Sequence, residues 1–483
     1  IVAFCSTRRP GRLAAEDPIL RPVVAADTQW VTLFGKSWDF HVTAGLQTDL
    51  AENLAMIADS VEYLRHQHRR VIYDAEHWFD GYRHNPDYAL ATLEAAVCAG
   101  AEWIILCDTN GGTLPHEIGA VVQQVTAALP GWRNHSDHPE REVRLGIHTH
   151  NDSGTAVANA LAAVQQGVQM VQGTINGYGE RCGNANLCTL IPNLQLKMGY
   201  DCVPAAQLTE LTLASRLISE RVNLAPDDHA PFVGLSAFAH KGGIHVSAVQ
   251  RDPQTYEHIN PQVVGNHRRI VISEQAGLSN VLAKASHCGV TLNKQNPISR
   301  QILKQLKQLE HDGYQFELAE ASFELLLRQA LEERPTLFEL QGFDVHCDSG
   351  PLIEGQQRGF SSTALATVKV MVGFQEFLTA AEGNGPVSAL DAALRKALVD
   401  VYPAIAKFQL TDYKVRILDG SRGTSAKTRV LVESSDGQER WTTVGVSTNI
   451  IGASYQAVAE GIEYGLLRPS FRQSFSGFPQ CIA

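Results

Sequence analysis

The chain has no apolar run long enough to span a bilayer. It has no CxxC pair, and its nine cysteines are odd in number and irregular in spacing. A disulfide framework is therefore not expected, and reduced thiols in a cytoplasmic protein are the simpler reading. Positive charge is scarce: 40 Lys and Arg stand against 51 Asp and Glu, for a net charge of -11. Nucleic acid is not an expected partner, because phosphate contacts want clustered cations. A small anionic substrate is not excluded, since a local site can be positive on an acidic protein. A GxGxxG fingerprint is missing from the early strands, so a dinucleotide site is not expected. The opening residues, IVAFCSTRR, have neither an initiator Met nor the charged-then-apolar order of a signal peptide. They read as a strand whose predecessors are cut away.

What is present is a long globular composition. The 483 residues suggest two to four domains, and 44% apolar with 19% charged content suits large cores. Short apolar runs recur at Ile1 to Cys5, Trp30 to Phe34, Val71 to Asp74, Trp103 to Asp108, Arg144 to His148 and Gln169 to Thr174. Each suits a strand buried on both faces. Helical spacing lies between them. Leu50, Leu54, Ile57, Val61 and Leu64 share a face, with Asp49 and Glu52 as a capping box. Asn85-Pro86 opens the next helix and Gly100 stops it. Six such βα units predict an α/β fold, a TIM (β/α)8-type barrel over residues 1–200 whose first two units are absent.

Beyond the barrel the pattern changes twice. Residues 201–330 read as helical linker subdomains with a Gly/His-rich loop, Ser236 to Val246, in their middle. Residues 335–468 read as an α+β module with a weak repeat: a strand, Ala364 to Gly373, then a helix; two strands, Thr428 to Glu433 and Arg440 to Val446, then a helix. Residues 469–483 read as a loose tail.

Polar residues gather just after each barrel strand, where such barrels keep their active sites. His148 and His150 are two apart, so on a strand they face one side and make half a metal site. The bland alternative is a pair of core or surface histidines. Asn184 lies in GYGERCGNAN, whose glycines let backbone approach a ligand. Oxygen and imidazole donors together suit Mg, Mn or Zn without choosing among them. Glu76 in DAEHWFDG is a candidate acid, base or substrate-holding group, or else a satisfied carboxylate beside Arg or His. His77, His84, His66 and His68 read as surface residues. His240 and His245 in AFAHKGGIHVSA either project toward a site or sit solvated in a turn.

Taken together, LFGKSWDFHV, YDAEHWFDGY, LCDTNGGTLP, GIHTHND and NGYGERCGNANL resemble the 2-isopropylmalate, homocitrate and citramalate synthases. Those enzymes belong to a metal-dependent TIM-barrel superfamily that also holds carbon–carbon lyases, and the wording is nearest the bacterial citramalate branch. AFAHKGGIHVSAV with TYEHINPQVVGN resembles their linker, and LTDYKVRILDGSRGTSAKTRVLVES their amino-acid-sensing domain. The resemblance implies His148 and His150 as metal ligands and Asn184 as a ligand or near-ligand. It implies Glu76 beside the substrate, Thr109 on the keto-acid carboxylate, and His245 with Tyr256 in acetyl-CoA activation. The family's opening TTLRDG-like motif, with its Asp ligand and its Arg, has no match in these residues. The resemblance therefore implies an incomplete keto-acid pocket and little turnover.

The implied chemistry is condensation of acetyl-CoA with a 2-keto acid. Pyruvate would give citramalate and CoA, on the way to isoleucine. The resemblance further implies a divalent metal (Mn, Mg or Zn), an amino-acid effector, with isoleucine the branch's own, and a homodimer in the cytoplasm, with neither membrane nor nucleic acid as partner. The alternatives are a 2-isopropylmalate synthase, a lyase of the superfamily, and a non-catalytic effector-binding fragment. The module after residue 335 argues against the lyase.

Overall fold

Apolar runs become strands where both faces can be covered. In this computed structural model, which describes residues 1–135, 142–271, 277–290, 292–351 and 360–468, six of them form β1 (Val2–Ser6), β2 (Trp30–Lys36), β3 (Arg70–Glu76), β4 (Trp103–Asp108), β5 (Arg144–Thr149) and β6 (Met170–Gln172). Each lies within two residues of its expected bounds. The six pair in chain order and every pair is parallel. Parallel neighbours need a crossover. The crossovers carry α1 (Leu20–Ala25), α2 (Leu50–His66), α3 (Trp78–His84), α4 (Pro86–Cys98), α5 (Pro115–His135) and α6 (Ala156–Gln165). This is the barrel-type sheet of the expected fold class. Two compact units divide the chain: Ile1–Phe238 with Asn260–His267, and Ala239–Ile259 with the residues from Arg268 onward. The first unit also holds α7 (Leu187–Pro192), α8 (Ala205–Leu208) and α9 (Leu211–Arg221).

Strand alternation sorts the sheet's residues onto two faces. Val31, Leu33, Val71, Tyr73, Ala75, Ile104, Leu106 and Ile147 pack with Ile57, Val61 and Leu64 of α2 and Leu93 of α4. The opposite face carries Ile72, Ile105 and Cys107, flanked by Trp30, Trp103 and Met170. By the same alternation it ends in Asp74, Glu76, His148 and Gln172. The candidate site therefore sits on the face that the helices leave uncovered.

Local signals hold where no stronger partner competes. Asn85 accepts the Tyr88 N–H at 3.2 Å and starts α4. Asp49 accepts the Glu52 N–H at 2.7 Å and starts α2. The expected capping box forms only in this half. Glu52 turns instead to Arg8 Nη1 at 2.8 Å and the Gly11 N–H at 2.9 Å. A buried guanidinium offers a charge-assisted bond that a backbone N–H cannot match.

In the second unit, β7 (Ala239–His240) runs directly toward α10 (Gly243–Arg251) and pairs in parallel with β8 (Arg269–Ile270). The stretch expected as a loop, 236–246, is thus largely a short strand feeding a helix. Next come α11 (Leu278–His287), α12 (Pro297–His311) and α13 (Glu320–Ala330). The C-terminal repeat is richer than expected. β9 (Glu339–Pro351), β10 (Phe360–Val372) and β11 (Gln375–Gly383) form an antiparallel meander before α14 (Pro386–Leu398). β12 (Gln409–Ile417), β13 (Thr428–Ser435) and β14 (Arg440–Ser447) form another before α15 (Ile450–Leu467). Leu390 and Leu394 of α14, Ile462 and Leu466 of α15, Val368 of β10 and Val430 of β13 lie in one core. The tail expected from Pro469 lies outside the described residues.

One buried acid gives this module a pH dependence. Burial pushes the Glu460 carboxyl in α15 up to about 7, against the pull of the Ser322 hydroxyl and the Arg334 guanidinium. Below its ordinary value of 4.5 the folded and unfolded chains both hold the proton. Between there and about 7 only the folded chain keeps it, so stability falls as pH rises, by about 1–3 kcal/mol in all. Glu460→Gln is expected to remove that slope and to melt above the parent at pH 8. Melting curves of the two chains that stay parallel from pH 5 to pH 8 would refute this.

Candidate functional site

The end of β5 and the loop after β6 build the site together. The GYGERCGNAN loop folds back so that Ala185 N–H reaches Thr149 O at 3.0 Å and Asn151 N–H reaches Gly183 O at 2.9 Å. His150 and Asn184 bridge as antiparallel neighbours. The fold-back depends on Gly183, at φ +87° with an added Cβ only 1.9 Å from the Gly177 carbonyl oxygen. No side chain fits there.

These turns bring the three expected ligand positions together. The His148 and His150 rings stack with centroids 5.2 Å apart. His148 Nε2 lies 3.1 Å from Asn184 Oδ1, and its Nδ1 lies 2.7 Å from Gln172 Oε1. Neither amide can be turned around without loss. Asn184 Nδ2 donates to Tyr178 O at 3.2 Å, and Gln172 Nε2 donates to Asp74 Oδ1 at 3.1 Å. Both ring nitrogens of His148 therefore face acceptor oxygens. A neutral imidazole carries one N–H and satisfies one of them. With that N–H on Nδ1, the Nε2 lone pair meets the Asn184 oxygen, and a cation between the two resolves the conflict. An imidazole nitrogen and an amide oxygen are donors that would suit a divalent ion there.

His150 is placed differently. Its Nδ1 faces Arg181 Nη2 at 3.2 Å, and that arginine also binds Asp152 at 2.7 and 3.0 Å and the Thr109 carbonyl at 2.6 Å. Burial, with His148 and Arg181 beside it, holds the His150 imidazole below its usual range. Among the described residues no group of three His, Cys, Asp or Glu side chains is gathered as a metal site. The donors here are two imidazoles and an amide.

Glu76 forms an ion pair with Lys36 and is about a quarter exposed. The carboxylate is paired, as the bland alternative has it, but with a lysine rather than the Arg or His expected. The Thr109 hydroxyl accepts the His77 N–H at 2.8 Å. His77, expected at the surface, is mostly covered: its ring meets His41 at 4.2 Å between centroids and Asp80 at 3.2 Å. In the second unit His245 and Tyr256 stack at 4.2 Å. His240, weighed as a solvated turn residue, is buried against Glu257 at 3.0 Å.

Sequence reasoning missed the Asp74–Gln172–His148 chain. Burial pushes the Asp74 carboxyl up to about 6, with His148 and Gln172 pulling the other way. Gln172 stands beside His148 in strand register, and pairing β5 with β6 on paper would have found it. Such partners fix a ligand's tautomer. Gln172→Leu is expected to weaken Mn2+ binding about 10–100-fold. Calorimetric titration with Mn2+ checks this, and an unchanged Kd would remove Gln172 from the site.

A parallel barrel sheet with paired imidazoles at a strand end, followed by two meander-and-helix repeats, defines an HMGL-like barrel enzyme with an appended allosteric module. Family models agree: HMGL-like matches residues 10–218, homocitrate synthase post-HMGL domain-like 232–313, and LeuA allosteric (dimerisation) domain 317–466. The chain belongs to the citramalate and 2-isopropylmalate synthase family. It is 69% identical to (R)-citramalate synthase of Synechocystis sp., over 96% of this chain and 84% of that protein. It is 49% identical to (R)-citramalate synthase of Aquifex aeolicus, over 97% and 85%. To a probable 2-isopropylmalate synthase of Methanopyrus kandleri it is 30% identical, over 91% and 81%. Among solved structures, hydroxymethylglutaryl-CoA lyase from Pseudomonas aeruginosa is similar at a TM-score of 0.37 and 15% identity, over 47% of this chain and 71% of that one. No helix among the described residues is long and apolar enough to cross a membrane.

Proposed function

We propose the following account of the chemistry. The enzyme condenses acetyl-CoA with pyruvate to give citramalate and CoA. The observation that carries this is 69% identity, across nearly the whole chain, to a curated (R)-citramalate synthase. A methyl proton leaves acetyl-CoA, the resulting carbon attacks C2 of the keto acid, and the ketone oxygen ends protonated. Water then cleaves the thioester and releases CoA.

His148 and Asn184 hold a divalent cation (Mn, Mg or Zn), with His150 as its further imidazole once Arg181 lets go of Nδ1. Their 3.1 Å spacing and the two acceptors around His148 support this. When bound, such an ion polarises the keto acid's oxygens. The chain's own residues do the rest. Gln172 and Asp74 hold the His148 proton on Nδ1. Thr109 offers its hydroxyl hydrogen to the substrate carboxylate while its oxygen accepts from His77. Glu76, paired with Lys36, orients the incoming groups. His245, stacked on Tyr256, removes the methyl proton. We read residues 1–200 as catalytic, 201–330 as linker, and 335–468 as the part that dimerises and binds an amino-acid effector, isoleucine by analogy. A cytoplasmic setting suits cysteines that form no disulfide among the described residues.

Thiol release from acetyl-CoA with Mn2+ tests the reaction. Pyruvate is expected to outperform 2-ketoisovalerate by about tenfold or more, the order that 69% identity to a citramalate synthase implies. Preference for the bulkier acid would favour the 2-isopropylmalate reading instead.

A further inference from the structure

The stacked His245 and Tyr256 stand beside an ion cluster, its carboxylate buried, that the chemistry above does not use. Glu257 follows Tyr256 directly, and its side chain is only 2% exposed. Its carboxylate accepts from Arg268 Nε at 2.5 Å and Nη2 at 2.7 Å, and it faces His240 Nε2 at 3.0 Å. His240 lies on β7, with its carbonyl taken by the Val271 N–H at 2.9 Å. From β7 the chain turns through Gly242 into α10, whose first turn carries His245.

The consequence is a closed frame. One end of the His240–Glu257 contact is five residues from His245, and the other is one residue from Tyr256. Those two rings stack at 4.2 Å between centroids and 28° between planes. Both are exposed, so surrounding side chains do not cage them. An aromatic stack is worth about 1 kcal/mol, and ordering two exposed rings costs a similar amount. The stack cannot set its own geometry. A bidentate Arg–carboxylate pair has a fixed direction and can.

We propose that Glu257, held by Arg268 and His240, is a positioning residue that sets His245 on Tyr256 for removal of the acetyl-CoA methyl proton. This rests on the reading of His245 as the base. As a mere fold staple the cluster would be replaceable by apolar side chains of similar volume. The two roles differ in what Glu257→Gln does to the rings.

The full chain, with 13C-labelled histidine, reads the stack without turnover. His245→Asn assigns the His245 ring signal, and Tyr256→Leu gives its unstacked position. Glu257→Gln is expected to move the signal to that unstacked position. It should also slow washout of acetyl-CoA methyl protons into D2O about 100-fold, with KM for acetyl-CoA nearly unchanged. A folded Glu257→Gln chain whose His245 signal stays at the parent position overturns the proposal. Should that chain not fold, Arg268→Gln carries the same test, because its amide keeps one donor on the carboxylate; an unmoved signal there overturns the proposal too. If His245→Asn exchanges methyl protons at the parent rate, the base reading fails, and the catalytic purpose assigned to Glu257 fails with it. The two failures are told apart because the ring signal does not depend on exchange.

Discussion

Alanine in place of His148 is expected to cut turnover of acetyl-CoA and pyruvate by about a thousandfold and to remove most Mn2+ affinity. His148 Nε2 faces the Asn184 amide oxygen at 3.1 Å. Losing the cation there forfeits several kcal/mol of charge stabilisation, and about 4 kcal/mol corresponds to about a thousandfold in rate. Stability should change far less. The substitution leaves the Gln172 oxygen short of one donor, a cost of about 1 kcal/mol, and it touches nothing in the core shared by α14 and α15. Calorimetric titration with Mn2+ separates the two effects. A His148→Ala chain that binds Mn2+ like the parent would refute the assignment of the cation to His148 and Asn184.

Gly183→Ala is expected to be nearly as damaging, from a residue that touches no substrate. Its φ of +87° is costly for alanine, and the new methyl would sit 1.9 Å from a backbone oxygen. Backbone strain of this kind costs about 1–3 kcal/mol, and here the clash adds to it. The loop relieves itself by moving Gly183 away from Gly177, and Asn184, next in the chain, moves with it. A displacement of about 1 Å at a positioned group costs about 100-fold in rate. Mn2+ affinity and turnover should therefore fall together while the C-terminal module melts as before. A Gly183→Ala chain with parent-like Mn2+ affinity would show that the loop does not hold Asn184 in place.

Legibility followed the range of each interaction. The barrel strands were readable because burial on both faces demands continuous apolar runs. The start of α4 was readable because Asn85 bonds three residues ahead. Glu52 was misread, because its stronger partner Arg8 is 44 residues away. β9, β11 and β12 were not read as strands. Their outward faces mix charge with exposed apolar residues such as Leu378, Val415 and Ile417, so the alternation is blurred, and only pairing with β10 or β13 makes them strands. The candidate site divides in the same way. His148 and His150 declare a shared direction by their spacing alone. Gln172 and Asp74 lie 98 residues apart and meet only across the sheet.

By itself, then, the amino-acid order determined the succession of strands and helices, the side of β5 on which two imidazoles project, and the company of relatives the chain keeps. Those follow from periodicity and from contacts a few residues long. Only the folded chain decided that both nitrogens of His148 meet oxygens, that Arg181 engages His150, and that Glu257 is buried behind Tyr256. Hydrogen-bond direction and burial are properties of neighbours brought together in space, and separation along the chain carries no trace of them.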